Sequence, residues 1–448
     1  MSRPASFVRQ RSGSAPLSKG EIGASIIKAV LVPGVLLLDL WRARSERQRH
    51  WILTIFFVVL GFVAITEIAG DARRMREMVE FQFPRISFAM WLEDLWRLIT
   101  FRNSFYTGTR DIYMHVVGFF FGSVLQMPQL FFPFVAGVYG YFFSGSVLHV
   151  LRNMQISRLN YVLVGFIGVF LLVRGFDGFF TVRTWTGMWI LVYGCLKYYE
   201  QPKLRYLILM LIPPLFHHGF WVICIPAWIV LALGTRPLLY AVVFAISSVT
   251  TVIPVDQFVD QVARTERGES ALRGYLRDEQ VDMTERFEGL REQTNWYNAY
   301  RRAGLQRWAP TVLIVTLLAG GFYLTGMTLY QKRIFSVGLL TMAFSNATWF
   351  HFAIHNRSLT VAMVFLSAAF LMTRFDPRTQ SLFMTRPPWF KWGLHLALLL
   401  YLPLAVWHAS VLSERFGPLA LVLPFLVLLN PEINISFKDL INTLLGRR

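Results

Sequence analysis

The sequence predicts an all-α protein that crosses a membrane about twelve times, and three observations carry that prediction. Apolar residues make up 55% of the 448, and the mean hydropathy is +0.46. These residues are gathered into runs long enough to cross roughly 30 Å of hydrocarbon as helices. Short turns rich in Arg and Lys separate the runs, and counting the runs as crossings puts the basic turns on one side. The formal charge of +18 therefore reports orientation and contact with anionic headgroups, and no nucleic acid is expected as a partner.

Taken in order, residues 1–22 are rich in Ser, Arg, Pro and Gly and read as a disordered cytoplasmic tail. Residues 24–41 are apolar but interrupted by Lys28, Pro33 and Asp39, which favours a helix lying on the inner leaflet over a crossing. This makes 1–50 a cytoplasmic tail with an interfacial helix and 51–448 a single transmembrane domain. Arg42, Arg44, Arg47 and Arg49 pin the near side as cytoplasmic, and 51–69 is the first span. An outer loop at 71–127 holds the amphipathic stretch MWLEDLWRL, with Trp91 and Trp96 at headgroup level, and then TFRNSFYTGTRD. Residues 112–126, divided by Gly118 and Gly122, read as a helix at the outer surface.

Crossings follow at 129–151, 159–174, 184–199, 204–219, 220–234 and 237–254. Residues 255–308 form a long outer loop, helix-rich because acids and arginines alternate along it, with exposed ion pairs that contribute little each. Crossings at 309–330, 334–350, 358–373, 392–411 and 416–430 complete the set. The inner turns carry Arg152 and Arg158, then Lys197, Lys203 and Arg205, then Arg236, then Lys332 and Arg333, and finally Arg374, Arg378, Arg386 and Lys391. Both termini are therefore expected in the cytoplasm. Cys195 and Cys224 lie in apolar runs and are expected as free buried thiols. No cleavable leader is read at the N-terminus, so the first spans would direct insertion.

Counted this way, the outer face collects Arg102, Arg110, Asp111 and Tyr113 from the first loop. It adds Arg174, Asp177, Arg183, His217 and His218 from the central hairpin, and His351, His355, Asn356 and Arg357 from a later one. Glu67 is a further outside acid. Arg183 opens a span beside Trp185 and Trp189, as an anchor snorkelling to headgroups or as a cation for phosphate. Arg357 opens another span in the same way, and the two could clamp a diphosphate. His217 and His218 follow Pro213-Pro214, a break tolerated in a span where a cavity or neighbours satisfy the freed backbone. Either histidine packs helices or takes a hydroxyl proton near neutral pH. Asp111 caps the helix that follows it, or serves as a second base, or holds a sugar or an arginine. Asp177 allows similar but weaker readings.

The spacing of His351 and His355, one helical turn, suits a metal pair but lacks a third ligand, so no metal is expected. There is no Walker loop, no dinucleotide glycine fingerprint and no acidic pair suited to a nucleotide sugar, so no nucleotide and no cofactor are expected.

Three stretches resemble the EpsG / Wzy-type polysaccharide polymerases of bacterial inner membranes. TGTRDIYMH resembles that family's outer-loop G-T-D…Y signature, with Arg110 inserted between Thr109 and Asp111. VRTWTGMWILVYGCLKYYEQPKLRYLILMLIPPLFHHGFWVI resembles its Arg-opened helix, basic turn and F-H-x-S/T-A stretch, with His217 at the histidine position and Gly219 where Ser or Thr is usual. IHNRSLTVAMVFLSAAF resembles its later Arg-opened helix and places Arg357. Together they cover about residues 100–360 in the family's order.

The resemblance implies a fold like that of the multispan GT-C glycosyltransferases. It also implies a metal-independent reaction on the periplasmic face, joining undecaprenyl-diphosphate-linked repeat units in exopolysaccharide or O-antigen biosynthesis. His217, His218 or Asp111 would be the base. Arg183 and Arg357 would hold the departing diphosphate, helped by Arg110 or Arg102, and Tyr113, Arg174 and Asp177 would complete the substrate site. Trp296 and Tyr297 would offer stacking platforms for sugars. Membrane lipid, a chain-length regulator and a flippase are the further partners implied. Alternatives are an O-antigen-ligase-like or other polyprenyl-phosphate-sugar glycosyltransferase, a flippase or transporter of lipid-linked sugars, and a non-enzymatic export subunit. A transporter would carry charges at mid-bilayer and paired broken helices in two halves, which the sequence does not show.

Overall fold

A computed structural model of the protein describes residues 45–66, 70–154, 161–249, 305–349 and 352–445, with a few isolated positions nearer the N-terminus. The expected tail, most of the interfacial helix at 24–41, Glu67, the loop through residue 304 with Trp296 and Tyr297, and His351 lie outside them. Every regular element among the described residues is a helix, and no strand occurs among them.

The first is α1, Glu46–Val63, opened by Ser45, whose hydroxyl accepts the Gln48 amide at 3.1 Å. Shorter helices follow: α2 at Gly70–Glu77, α3 at Phe88–Ile99, and α4 at Ile112–Phe119 continued by a π-helical turn at Phe120–Val124. Then comes α5, Phe131–Arg152, which lies along α1. These two backbones approach closely at Gly61, where a Cβ would sit 2.6 Å from the Phe132 carbonyl oxygen. Small residues permit that approach between apolar helices. Gly61→Ala must part the helices, so we expect a loss of about 1–3 kcal/mol, read as a lower thermal midpoint of the purified protein in detergent.

The chain continues through α6 (Tyr161–Leu172), α7 (Thr184–Glu200), α8 (Leu204–Leu211), α9 (Pro213–Phe216), α10 (Phe220–Ile223), α11 (Ile225–Leu233) and α12 (Pro237–Val249). Beyond the long loop come α13 (Trp308–Ala319), α14 (Leu329–Ala347), α15 (Phe352–Arg374), α16 (Pro377–Thr385), α17 (Pro388–Arg415), α18 (Pro418–Val422), α19 (Pro424–Leu429) and α20 (Phe437–Leu444). The core forms around α15, which is apolar on all sides and buried from Leu359 through Met372. α14 pairs with it, its start fixed by a capping box between Thr328 and Gln331. α5, α6, α7 and α13 also pack on α15. α17 leans on α6 and α13 but turns Trp392, Leu396, Leu399, Leu402 and Val406 outward.

Among the described residues, three helices are long and apolar enough to cross a membrane: Pro128–Arg152, Ala353–Arg374 and Pro388–Arg415. Five other apolar helices among the described residues are shorter, at Ile112–Val124, Tyr161–Leu172, Phe220–Leu233, Pro237–Val249 and Leu305–Ala319. The crossings expected at 309–330 and 416–430 are divided, and 204–219 is broken at Pro213-Pro214 as the sequence predicts. Pro213-Pro214, Gly320-Gly321 and Pro424 stop the backbone ladder there, because proline brings no N–H and glycine readily leaves helical angles. At the other runs helices lie near the expected bounds, with 220–234 parted at Cys224, and α3 falls on MWLEDLWRL.

Candidate active site

The site starts from α3. Its stripe of Phe88, Leu92, Trp96 and Ile99 is exposed, and on the opposite side Asp94 is fully buried. The Asp94 carboxylate accepts the Ser104 hydroxyl, the Phe105 amide at 2.6 Å and the Tyr106 amide at 3.1 Å. The Ser104 amide donates to the Thr109 carbonyl at 3.0 Å, and Gly108 makes the turn between them at φ +64°. This closed loop delivers Asp111 to the start of α4. Asp94→Ala would strand those donors, so we expect about 1–3 kcal/mol of destabilisation, visible as faster proteolytic cleavage after residues 104–109.

Asp111 occupies the N-cap position of α4 but makes no capping bond with its side chain. Its carboxylate, 1% exposed, turns the other way and takes three donors. Arg183 Nη1 donates to Oδ2, the His218 amide donates to Oδ1 at 2.7 Å, and His217 Nδ1 lies 3.1 Å from Oδ1. Burial pushes the Asp111 carboxyl up, but the Arg183 guanidinium and the hydrogen bonds from the His217 ring and the His218 amide hold it well below the usual carboxylate range. An ionised carboxylate only accepts, so His217 carries its proton on Nδ1. That leaves Nε2 with its lone pair, buried and without a hydrogen-bond partner.

Local chain chemistry explains why these groups arrive. Pro213-Pro214 confine α9 to one turn, and His217 leaves it in extended backbone, φ −151° and ψ 123°. The His218 amide is thereby released from any helical ladder and reaches Asp111 instead. Arg183 is aimed by the residue before it. Val182 is fully buried at φ 52° and ψ −55°, and the Arg183 amide bonds back to the Thr181 carbonyl. That is a left-handed γ-turn, rare and strained for a β-branched residue. Tyr113 stacks on Phe216 at 4.4 Å between ring centroids, tying α4 to α9. The charge of Arg357, on α15, reaches His217, and that of Arg110 reaches His218.

The outer-face set named from the sequence is thus two groups. Asp111, Arg183, His217 and His218 are joined directly, with Tyr113, Arg110 and Arg357 around them. Arg174 and Asp177 pair with each other at 3.5 Å and lie at the other end of the loop 174–183, where Asp177 also meets His408 Nδ1 at 3.3 Å. Arg102 is exposed on the surface loop, its amide bonded to the Arg97 carbonyl, and contributes no bond to Asp111. His355 commits Nδ1 to the Ser345 carbonyl at 2.8 Å, and among the described residues no three potential metal ligands gather.

Sequence reasoning missed Asp94, His408 and Arg415. Asp94 was findable, because helical spacing sets it opposite the Phe88–Leu92–Trp96–Ile99 stripe. His408 and Arg415 carried only the signal of polar groups near the end of an apolar run.

Chemically, one buried anion holds a guanidinium and a neutral imidazole side by side. The imidazole presents a basic nitrogen, and Arg183 has a buried Nε that donates to nothing among the described residues. Such a site can take a proton from a hydroxyl and meet developing negative charge. Compared with protein-family models, with curated proteins and with solved structures, the chain finds no match.

Proposed function

We propose that the chain is a polyprenyl-diphosphate-dependent glycosyltransferase, of the polysaccharide polymerase type, that joins lipid-linked saccharide units. The observation that carries this reading is the Asp111 carboxylate holding Arg183 and His217 together. The acceptor hydroxyl gives its proton to His217 Nε2 as its oxygen bonds to the anomeric carbon. The carbon–oxygen bond to the diphosphate breaks, and the electron pair leaves with the diphosphate, giving inversion at that carbon. Arg183, with Arg357 near His217, meets the departing charge. Asp111 keeps His217 in the tautomer that can accept, and stabilises the imidazolium that forms, as the carboxylate of a hydrolase triad does. Tyr113 lines the approach through its stack on Phe216.

In this proposal the chain makes about twelve crossings of a bacterial inner membrane, with both termini cytoplasmic and the site periplasmic. Broken α8 and α9 are tolerated because the freed backbone meets Asp111 rather than lipid. Purified protein given an undecaprenyl-diphosphate-linked oligosaccharide, with no nucleotide, is expected to yield a ladder of products on a gel. Single additions only would favour the ligase-like alternative, and no product with vesicle-to-vesicle movement of the lipid would favour transport.

Topology has its own test. Cys195 and Cys224 are both buried, so the parent protein should resist a membrane-impermeant thiol reagent. Phe105 is 71% exposed beside the site, and Phe105→Cys should label in intact cells from the outer side. Labelling only after the inner face is opened contradicts a periplasmic site.

A further inference from the structure

The loop 174–183 carries an arginine at each end, and only Arg183 serves the cluster on Asp111. The loop is held rigidly. The Tyr139 hydroxyl shares its one proton between the Arg174 and Gly175 carbonyls, each at 2.5 Å, and Trp189 Nε1 reaches the Arg174 carbonyl at 2.9 Å. Its first half meets the far end of α17. Asp177 lies there between Arg174 Nη1 and His408 Nδ1. Arg415, two helical turns beyond His408, sets its guanidinium 4.5 Å over the Phe180 ring, and its charge reaches Asp177. The Arg415 carbonyl accepts the Ile65 amide at 3.0 Å, which fixes this end of α17 to the end of α1.

Two guanidinium groups therefore act on one carboxylate, Arg174 by contact and Arg415 through its charge, which leaves a surplus of positive charge on two half-buried side chains. The donors confirm the surplus. Arg415 Nε and Nη1 and Arg174 Nε are buried and donate to nothing among the described residues. Buried guanidinium N–H groups are rarely left so, because each has given up water without gaining an acceptor. Arg174 is otherwise stacked 4.4 Å over Trp185, so its planar group is fixed in place.

We infer that Arg174 and Arg415 form a second oxyanion site, which takes a phosphate or diphosphate group. A phosphate group carries several acceptor oxygens, so it can take N–H donors from two separate guanidinium groups at once. Polymerisation brings together two diphosphate-bearing substrates, and this part of the inference rests on the transfer reading. The Arg183 site takes the diphosphate that leaves, and the Arg174–Arg415 site takes the diphosphate that stays on the acceptor chain. One rigid loop then sets the distance between the two headgroups.

The test uses the full chain in nanodiscs of neutral lipid, with farnesyl diphosphate as probe. The parent protein should bind two equivalents. Arg415→Gln should retain one and weaken the other by at least about tenfold. Arg415→Lys, which keeps charge but not the planar donors, should fall between. Arg183→Gln should lose the equivalent that Arg415→Gln retains. Saturation of the parent at one equivalent, lost with Arg183→Gln and unchanged with Arg415→Gln, overturns the second site and leaves the transfer reading standing. Two equivalents, one of them dependent on Arg415, in a protein that makes no product ladder would keep the site and overturn the transfer reading. Inorganic pyrophosphate that displaces the Arg415-dependent equivalent assigns the site to any diphosphate, and failure to displace it assigns the site to lipid-borne diphosphate.

Discussion

Asp111→Asn is expected to reduce product-ladder formation by about 10²- to 10⁴-fold, the range by which a positioned base contributes. The substitution changes almost no volume, so packing is not the cause. An asparagine amide can offer His217 an N–H where the carboxylate offered only oxygen, which turns the imidazole so that Nε2 carries the proton and no longer accepts one. Arg183 simultaneously loses the anion that accompanies its burial. Removing one partner of a buried pair destabilises by about 3–5 kcal/mol, so the variant should also unfold at lower temperature. Both readouts can be taken on one membrane preparation, by gel ladder and by thermal aggregation of the solubilised protein. Unchanged elongation with Asp111→Asn would remove His217 as the base.

The second large effect is an asymmetry between neighbours. His217→Ala should abolish the basic nitrogen and lower elongation by about 10²- to 10⁴-fold, while His218→Ala should stay within about tenfold of the parent. The reason is which atom each residue contributes. His217 gives its ring to Asp111, and His218 gives its main-chain amide, which alanine also has. The His218 ring instead meets Phe101 edge-on at 5.9 Å between centroids, half-exposed at the site's margin. Equal losses in the two variants, at equal protein level in membranes, would contradict this division of labour.

Much of the fold was legible in the sequence because helices are decided locally. Apolar runs and the basic turns between them placed most helices near their observed positions. Lengths were less legible. A run such as 309–330 has the hydropathy of a crossing, yet Gly321 takes a left-handed conformation and the helix stops at Ala319. Hydropathy sums over residues and does not register one backbone angle. At the site, Asp111, Arg183 and the two histidines were visible as polar groups in apolar surroundings. Arg174 and Asp177 were visible on the same grounds and belong to a different cluster.

By itself, then, the sequence determined that the chain is helical and which cations, imidazoles and acids stand as polar groups in or beside apolar runs. Only the tertiary structure decided that Asp111 leaves its own helix uncapped to hold residues 72 and 106 positions away, and that Arg174 turns to Asp177 and α17. Backbone hydrogen bonds and side-chain periodicity act over a few residues, so sequence resolves them. A buried charge is stabilised by whichever donors the packed fold carries to it, and those donors come from anywhere in the chain.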